Sequence, residues 1–370
     1  MAKKKIKICF FSLQAYPLFN PKIKSNFGGA ELQSYLLAKT LAKDKNFEVG
    51  FIVNNLNKKN RETKEGVRLY KINNGLKKGG LKKRLIFLKK LFTLLKKIDA
   101  DIYVQRALGT TTGALALFAK THHKKFIFMT AHENDLNAKK ICRTLAGRFS
   151  CFGVKNAGLI LTQNKEHQKL LLKNYGKKSL VFKNVLELPK KIQKNKKKTI
   201  LWVASSQPFK QPGVFLQLTQ SFPKEKFVMV MPKHPHHRDL YKEIKNKAQK
   251  ISNLHIIGQV PFSKINNYFK EAKIFVNTSK NEGFPNTFVQ AASNATPIIS
   301  LSVNSDNFLQ KYDCGFFAED NFLKLKKDLK KLLEDKRLWQ KMSQNAYNYA
   351  KKTHDLKHNI KKLKKYLLSL

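Results

Sequence analysis

The chain has 370 residues, 42% of them hydrophobic, which exceeds one ordinary core and predicts two domains. It holds no uncharged apolar run near ~18 residues, which argues against a helical membrane span. Its formal net charge is +50, from 66 lysines and eight arginines against 24 acidic residues, a field that attracts nucleic acid, anionic lipid or an anionic substrate.

A compositional bias towards lysine and asparagine gives the same excess without any function. The scarcity of arginine argues against base-reading nucleic-acid recognition, which favours arginine forks on guanine. The cysteines, Cys9, Cys142, Cys151 and Cys314, are scattered without a CxxC pair. They predict reduced thiols in a cytosolic protein and neither a zinc site nor a disulfide framework. The start, MAKKKIKICFFSL, has too short an apolar part for a signal peptide and reads as a first strand.

In chain order, Lys7–Leu13 reads as a buried strand. A long loop then ends in Phe27-Gly28-Gly29-Ala30-Glu31, and a helix runs to about Lys43 with Ala30, Ser34, Leu37 and Leu41 on one face. Two glycines before a helix let the backbone approach a ligand, or serve a tight helix entry. They are not the GxGxxG dinucleotide fingerprint. Strands follow at Phe47–Val53 and Val67–Ile72. Residues 81–97, LKKRLIFLKKLFTLLKK, form an amphipathic helix. Leu81, Leu85, Leu88, Phe92 and Leu95 make the expected core stripe, with Phe87 and Leu94 among the lysines. Such a face suits an anionic membrane surface or plain solvent. Asp101–Gln105 is a strand and Thr112–Lys120 a helix. Strand Lys125–Thr130 runs into Ala131-His132-Glu133-Asn134-Asp135, a polar cluster where open α/β sheets bind ligands. His132 there is either a hydrogen-bonding or acid/base group or a structural one. Leu159–Thr162, a helix to Tyr175 and Leu180–Phe182 complete the first half.

The lysine-rich stretch 186–198 reads as a linker, after which the alternation restarts. Thr199–Ala204 is a strand, Ser205–Pro212 a loop, Gly213–Thr219 a helix and Phe227–Met231 a strand. His234-Pro235-His236-His237 reads as a surface loop. It lacks helical spacing and any nearby carboxylate beyond Asp239, so it is not a metal site. Leu254–Ile257 is a strand and Phe262–Glu271 a helix. Residues 275–300, FVNTSKNEGFPNTFVQAASNATPIIS, then read as strand, loop, helix, strand. Glu282 and Gly283 sit at the mouth, and Pro285 opens a helix with Asn286 and Thr287 in its first turn. Free N–H groups at that helix start attract anions, and Glu282 can bond hydroxyls. Gly315–Phe317 and a helix from about Phe322 follow, then a basic helical tail over 335–370.

Strands alternating with helices on both sides of one linker imply two doubly wound, Rossmann-like α/β domains, with a ligand cleft between them facing strand C-termini. The expected division is 1–185, linker 186–198, 199–350, and a C-terminal helix over 351–370 that packs back on the first domain.

These motifs are similar to those of the retaining, nucleotide-sugar-dependent glycosyltransferases of family 4, which have the GT-B fold. The resemblance covers almost the full length and is best in the second half. Its most specific element is Glu282-Gly283-Phe284-Pro285-Asn286-Thr287 leading to Gln290-Ala291. The family spaces two glutamates by seven residues, and Gln290 stands at the second position. The resemblance implies that Glu282 bonds donor sugar hydroxyls, that the amides from Gly283 to Thr287 lie near sugar and phosphate, and that Gln290 meets the ribose. The family's Val-Gly-Arg-Leu, three residues, Lys becomes Val203-Ala204-Ser205-Ser206, three residues, Lys210. Lys210 is then the diphosphate ligand, with Ser205 at the arginine position. Gly28 and Gly29 resemble the family's first glycine loop, and His132 its histidine near the reacting sugar. Helix 81–97 resembles the membrane-facing surface of relatives acting on lipid-linked acceptors.

The resemblance implies a cytoplasmic or inner-face peripheral enzyme. It would move a sugar from a UDP- or GDP-linked donor to a glycan or lipid-linked acceptor, with retention, in cell-surface polysaccharide or glycolipid synthesis. It implies neither metal nor cofactor, and no DxD-like carboxylate pair ends a strand. Two alternatives stand beside it. One is a nucleotide-sugar epimerase or phosphorylase on the same scaffold. The other is a basic nucleic-acid-binding protein, for which the sequence offers no zinc-finger or RNP-type signature.

Overall fold

A computed structural model describes residues 4–23, 27–56, 61–73, 80–189, 192 and 197–370. Most of the lysine-rich end of the expected linker lies outside the described residues. The chain divides into two compact units. Unit 1 is Met1–Lys183 with Ile360–Leu370, and unit 2 is Asn184–Asn359.

The sheet of unit 1 contains β1 (Ile6–Phe11), β2 (Phe47–Asn54), β3 (Arg61–Lys64), β4 (Val67–Ile72), β5 (Ile102–Arg106), β6 (Lys125–Met129), β7 (Leu159–Thr162) and β8 (Leu180–Val181). Their order is β3-β4-β2-β1-β5-β6-β7-β8. Every pairing is parallel except β3 with β4. The sheet of unit 2 contains β9 (Thr199–Val203), β10 (Phe227–Val230), β11 (Leu254–Ile257), β12 (Ala272–Asn277), β13 (Ile298–Ser300) and β14 (Gly315–Phe317). It is parallel throughout, in the order β11-β10-β9-β12-β13-β14. Near-continuous apolar runs such as IKICFF and AKIFVN form these strands because helices cover both faces of a parallel sheet. Chain order reverses between β1 and β5 in unit 1 and between β9 and β12 in unit 2. Such a reversal opens a crevice at the strands' C-terminal ends, where open α/β sheets take ligands.

Unit 1 packs Phe87, Leu91, Leu95, Tyr103, Phe118, Phe126 and Phe128 into one core, and unit 2 packs Trp202, Phe215, Phe227 and Met229 into another. The helix Leu81–Ile98 meets its core through a different stripe from the expected one. Phe87, Leu91, Leu95 and Ile98 are buried, while Leu85 is 57% exposed and Ile86 47%. The side chain of Leu81 lies outside the described residues. Apolar residues flank the stripe on both sides, so two faces satisfy the helical period, and the sheet selects the one carrying Phe87.

The helix Leu145–Lys155 was not expected, because Gly147 and Gly153 weaken its pattern. Those glycines have a packing role. A Cβ on Gly153 would collide with the backbone of Thr112, and one on Gly113 with the carbonyl of Phe149. The helices Thr110–Thr121 and Leu145–Lys155 therefore lie in close backbone contact. This packing also overturns the expectation of four reduced thiols. Cys142, just before the second helix, lies 6.4 Å (Cα–Cα) from Cys151 within it, and the two form a disulfide. Cys9 and Cys314 are free and buried.

The helix Leu356–Leu368 starts in unit 2 and ends in unit 1. Its Ile360, Leu363 and Leu367 are buried, and Lys364 pairs with Asp44 of unit 1.

Candidate active site

In unit 2 the two loops at the strand-order reversal meet. After β9 the chain makes a short 3-10 turn, Pro208–Lys210, then enters the helix Pro212–Gln220 through Gln211, whose φ is +47°. That left-handed residue is held from β12. Thr278 Oγ1 lies 2.7 Å from Lys210 O and 3.1 Å from Gln211 O, and accepts from Trp202 Nε1 at 2.9 Å. Lys280 N donates to Phe209 O at 2.8 Å. The exit of β12 thus clamps the loop of β9, and the clamp brings two distant side chains together. Lys210 Nζ lies 2.7 Å from Glu282 Oε2, with both side chains about 15% exposed (14% and 15%). Asn277 Nδ2 donates to Glu282 Oε1 at 3.3 Å. Burial alone would raise the Glu282 carboxyl. The Lys210 ammonium and hydrogen bonds from Lys210, Ser279 and Asn277 outweigh it and hold the carboxyl below the usual carboxylate range. Glu282 is therefore an anion at neutral pH, and Lys210 its cation.

Behind the pair, Pro285 is the N-cap of the helix Asn286–Ser293, one position earlier than expected. Phe284 is buried among Phe288, Phe308 and His354. Its carbonyl accepts from Asn184 Nδ2 at 2.7 Å, and the carbonyl of Gly283 accepts from Ser305 Oγ. His354, fully buried, bonds Asn184 O and Tyr349 OH. The 283–287 backbone is thus braced from behind, with Asn286 and Thr287 half-buried at the helix start. Gln290 is only 6% exposed in that helix. The Ser205 side chain accepts from Gln207 Nε2 at 2.7 Å and supplies no charge.

In unit 1 the corresponding edge is organised by Arg106, a residue without any spacing signal in the sequence. It ends β5 at the reversal and is 6% exposed. Burial pushes its guanidinium down to about 10, against the opposing charges of Asp135 and Glu31. Those carboxylates hold the two loops that carry the expected unit 1 residues. Glu31 Oε2 accepts from Gly28 N at 2.8 Å, just ahead of Gly29, the first residue of the helix Gly29–Leu41. A Cβ on Gly28 would sit 2.8 Å from that same oxygen. Asp135 Oδ2 accepts from Ala131 N and His132 N at 2.9 and 3.0 Å. His132 Nδ1 accepts from Asn134 N at 3.1 Å, so the proton of the neutral ring sits on Nε2. The loops of Gly28 and His132 are thus each held by a local carboxylate, and both carboxylates act electrostatically on Arg106. Thr278 and Asn277 were detectable as polar residues ending an apolar strand, whereas Arg106 carried no such signal.

Among the described residues, no three His, Cys, Asp or Glu side chains are grouped to hold a metal ion. No described helix is long and apolar enough to cross a membrane.

Residues 185–352 match the family model of glycosyl transferases group 1. No curated protein sequence matches the chain. Solved structures match over nearly its full length. Sucrose-phosphate synthase from Thermosynechococcus elongatus superposes with a TM-score of 0.78 at 12% identity, covering 99% of each chain. HepE of Anabaena, in complex with UDP and glucose, gives 0.77 at 14%, covering 99% of this chain and 100% of that one. A glycosyltransferase from Rickettsia africae gives 0.71 at 16%, covering 98% of each. At these identities the likeness establishes the fold. The segment 185–352 is thus similar to the group 1 glycosyltransferase family, and the chain as a whole has the two-domain α/β fold seen in GT-B structures.

Proposed function

We propose that the protein transfers a sugar from a UDP- or GDP-linked donor to a glycan or lipid-linked acceptor, with retention, in cell-surface polysaccharide or glycolipid synthesis. The observation that carries this reading is the Lys210–Glu282 pair at the strand-order reversal of the segment similar to group 1 glycosyltransferases. A nucleotide sugar offers a partner for each member: diphosphate for the ammonium, sugar hydroxyls for the carboxylate. Donor binding therefore exchanges one ion pair for two charge-assisted contacts. HepE, of the same fold, was solved with UDP and glucose.

In the transition state the sugar becomes oxocarbenium-like and the leaving diphosphate gains negative charge. Lys210 and the amides from Gly283 to Thr287 stabilise that departure as fixed positive groups. Gln290 is assigned to the ribose and Ser205 to the diphosphate loop. The acceptor attacks from the face the diphosphate leaves, and no metal takes part. Unit 1 is assigned to the acceptor, its Gly28 and Gly29 to the donor phosphate and its His132 to the reacting sugar. The exposed Lys82, Lys83, Arg84, Leu85 and Ile86 at the start of helix Leu81–Ile98 combine charge with apolar surface. They suit peripheral binding to the anionic inner face of a membrane.

The test is transfer and donor hydrolysis across a panel of UDP- and GDP-sugars, in wild type and in Glu282→Ala and Lys210→Ala. Activity with at least one donor, lost in both variants, is expected. An altered free sugar nucleotide without acceptor would instead indicate an epimerase. Equal flotation with neutral and anionic vesicles would remove the membrane assignment.

A further inference from the structure

The loop holding His234, His236 and His237 has no part in the chemistry assigned so far. It follows β10, which neighbours β9 on the side away from β12, so it stands at the same C-terminal edge of the sheet as Lys210 and Glu282. It is bonded directly to the loop after β9. Ser206 Oγ accepts from His234 N at 2.9 Å and lies 3.4 Å from His237 O, and Ser206 N donates to Pro232 O at 3.1 Å. The His234 ring stacks on His237 (centroids 5.1 Å apart, 29° between planes) and sits 5.7 Å from His236. His234 and His237 are half-buried, and His236 is exposed. His234 Nδ1 accepts from His236 N at 3.3 Å, which leaves the neutral ring's proton on Nε2.

The electrostatics of the site call for such a group. Ser205 has no charge, and Lys210 is already balanced by Glu282. A departing nucleoside diphosphate therefore gains from a further positive group beside Lys210. We propose that His234, stacked on His237, is the second cationic group of the diphosphate site: it donates Nε2–H to the diphosphate of a nucleotide sugar and takes up a proton from solvent as the donor binds. This inference rests on the proposed sugar transfer. Burial and then the neighbouring His237 and His236 hold His234 below the ordinary histidine range, which favours the neutral ring. An arriving diphosphate reverses the balance, because an anion beside an imidazole favours its charged form. The other ionisable groups around the loop are Lys210 after β9, Lys233, Arg238 and Asp239 flanking it, and Tyr241 in the helix Arg238–Ala248. Three of the five are cations, which oppose protonation until an anion is present. Donor affinity accordingly rises as pH falls towards the histidine range.

Calorimetry of donor binding in two buffers of different ionisation enthalpy tests this on the full chain. The probes are the UDP- and GDP-sugar panel, whose diphosphate diesters do not titrate near neutrality. Wild type should take up a fraction of a proton per donor bound at pH 7, and its donor KM should fall as pH is lowered from about 8 to about 6. His234→Gln places an amide N–H near the Nε2 position but cannot be protonated. It should lose the proton uptake and the pH slope and bind about tenfold more weakly. His234→Asn keeps an acceptor for His236 N and controls for loop geometry. It should also lose the uptake, while unfolding at the wild-type temperature. Donor binding by wild type without proton uptake, or uptake retained in both variants, overturns the proposal and leaves sugar transfer standing. Failure of every panel member to bind overturns both.

Discussion

The two sheets reverse strand order in the same way, yet the reversal points are built differently. In unit 1 a guanidinium is sealed under the edge, and its two carboxylates hold loops in place. In unit 2 the ion pair of Lys210 and Glu282 lies at the edge itself, half-buried. The same topology thus places charged groups at both reversals but at different depths, and the proposed chemistry uses the shallower pair.

The largest effect that would test this contrast is on turnover. If the pair serves the proposed transfer, Lys210→Ala and Glu282→Ala should each lower it by about 100-fold or more while leaving the urea midpoint nearly unchanged. A large loss of stability with transfer preserved would reverse the assignment of the two edges. Next comes Arg106→Gln, which removes the buried cation that Glu31 and Asp135 balance. It should destabilise unit 1 by about 3–5 kcal/mol, read by hydrogen exchange of β5 and β6 amides. A change under about 1 kcal/mol would show that Arg106 is no hub.

Lys197 provides a smaller structural reference in unit 2, away from both edges. Its Nζ reaches Asn294 O and Thr296 Oγ1 at 2.7 Å and Ala272 O at 3.1 Å. Lys197→Met should cost about 1–3 kcal/mol by leaving those acceptors unpaired. Burial pushes its ammonium down to about 7. The unfolded chain then binds the extra proton between that value and the ordinary lysine range, near ~10.4. Unit 2 should therefore gain stability as pH rises from about 7 towards about 10, and Lys197→Met should flatten the gain. The smallest stability change, within about 0.5 kcal/mol, is expected for Leu85→Ser with Ile86→Ser, which are exposed. The same variant should reduce flotation with anionic vesicles, and an undiminished yield would detach these residues from membrane binding.

Much of this was legible before any coordinates. Periodic alternation of apolar runs and helices gives two doubly wound sheets, and the resemblance to family motifs points to both Glu282 and Lys210. Other features were hidden for specific physical reasons. Arg106 acts through tertiary neighbours, Glu31 and Asp135, that lie 75 and 29 positions away. The face of helix Leu81–Ile98 was misjudged because Leu85 and Phe87 fit competing stripes, and only contact with the sheet separates them. The Cys142–Cys151 bond depends on a helix whose glycines obscure it in the sequence.

That helix has a consequence in sequence space. Gly113 and Gly153 stand at the close contact of two helices in unit 1, where either Cβ would strike the opposite backbone. Backbone cannot retreat as a flexible side-chain tip can, so neither position tolerates even alanine without spreading the helices. Randomising both codons together and selecting for folded protein should return glycine at each, and any alanine should arrive only with changes that widen the whole layer. The pair is a coupled constraint on how this unit can drift, independent of whatever its edge binds.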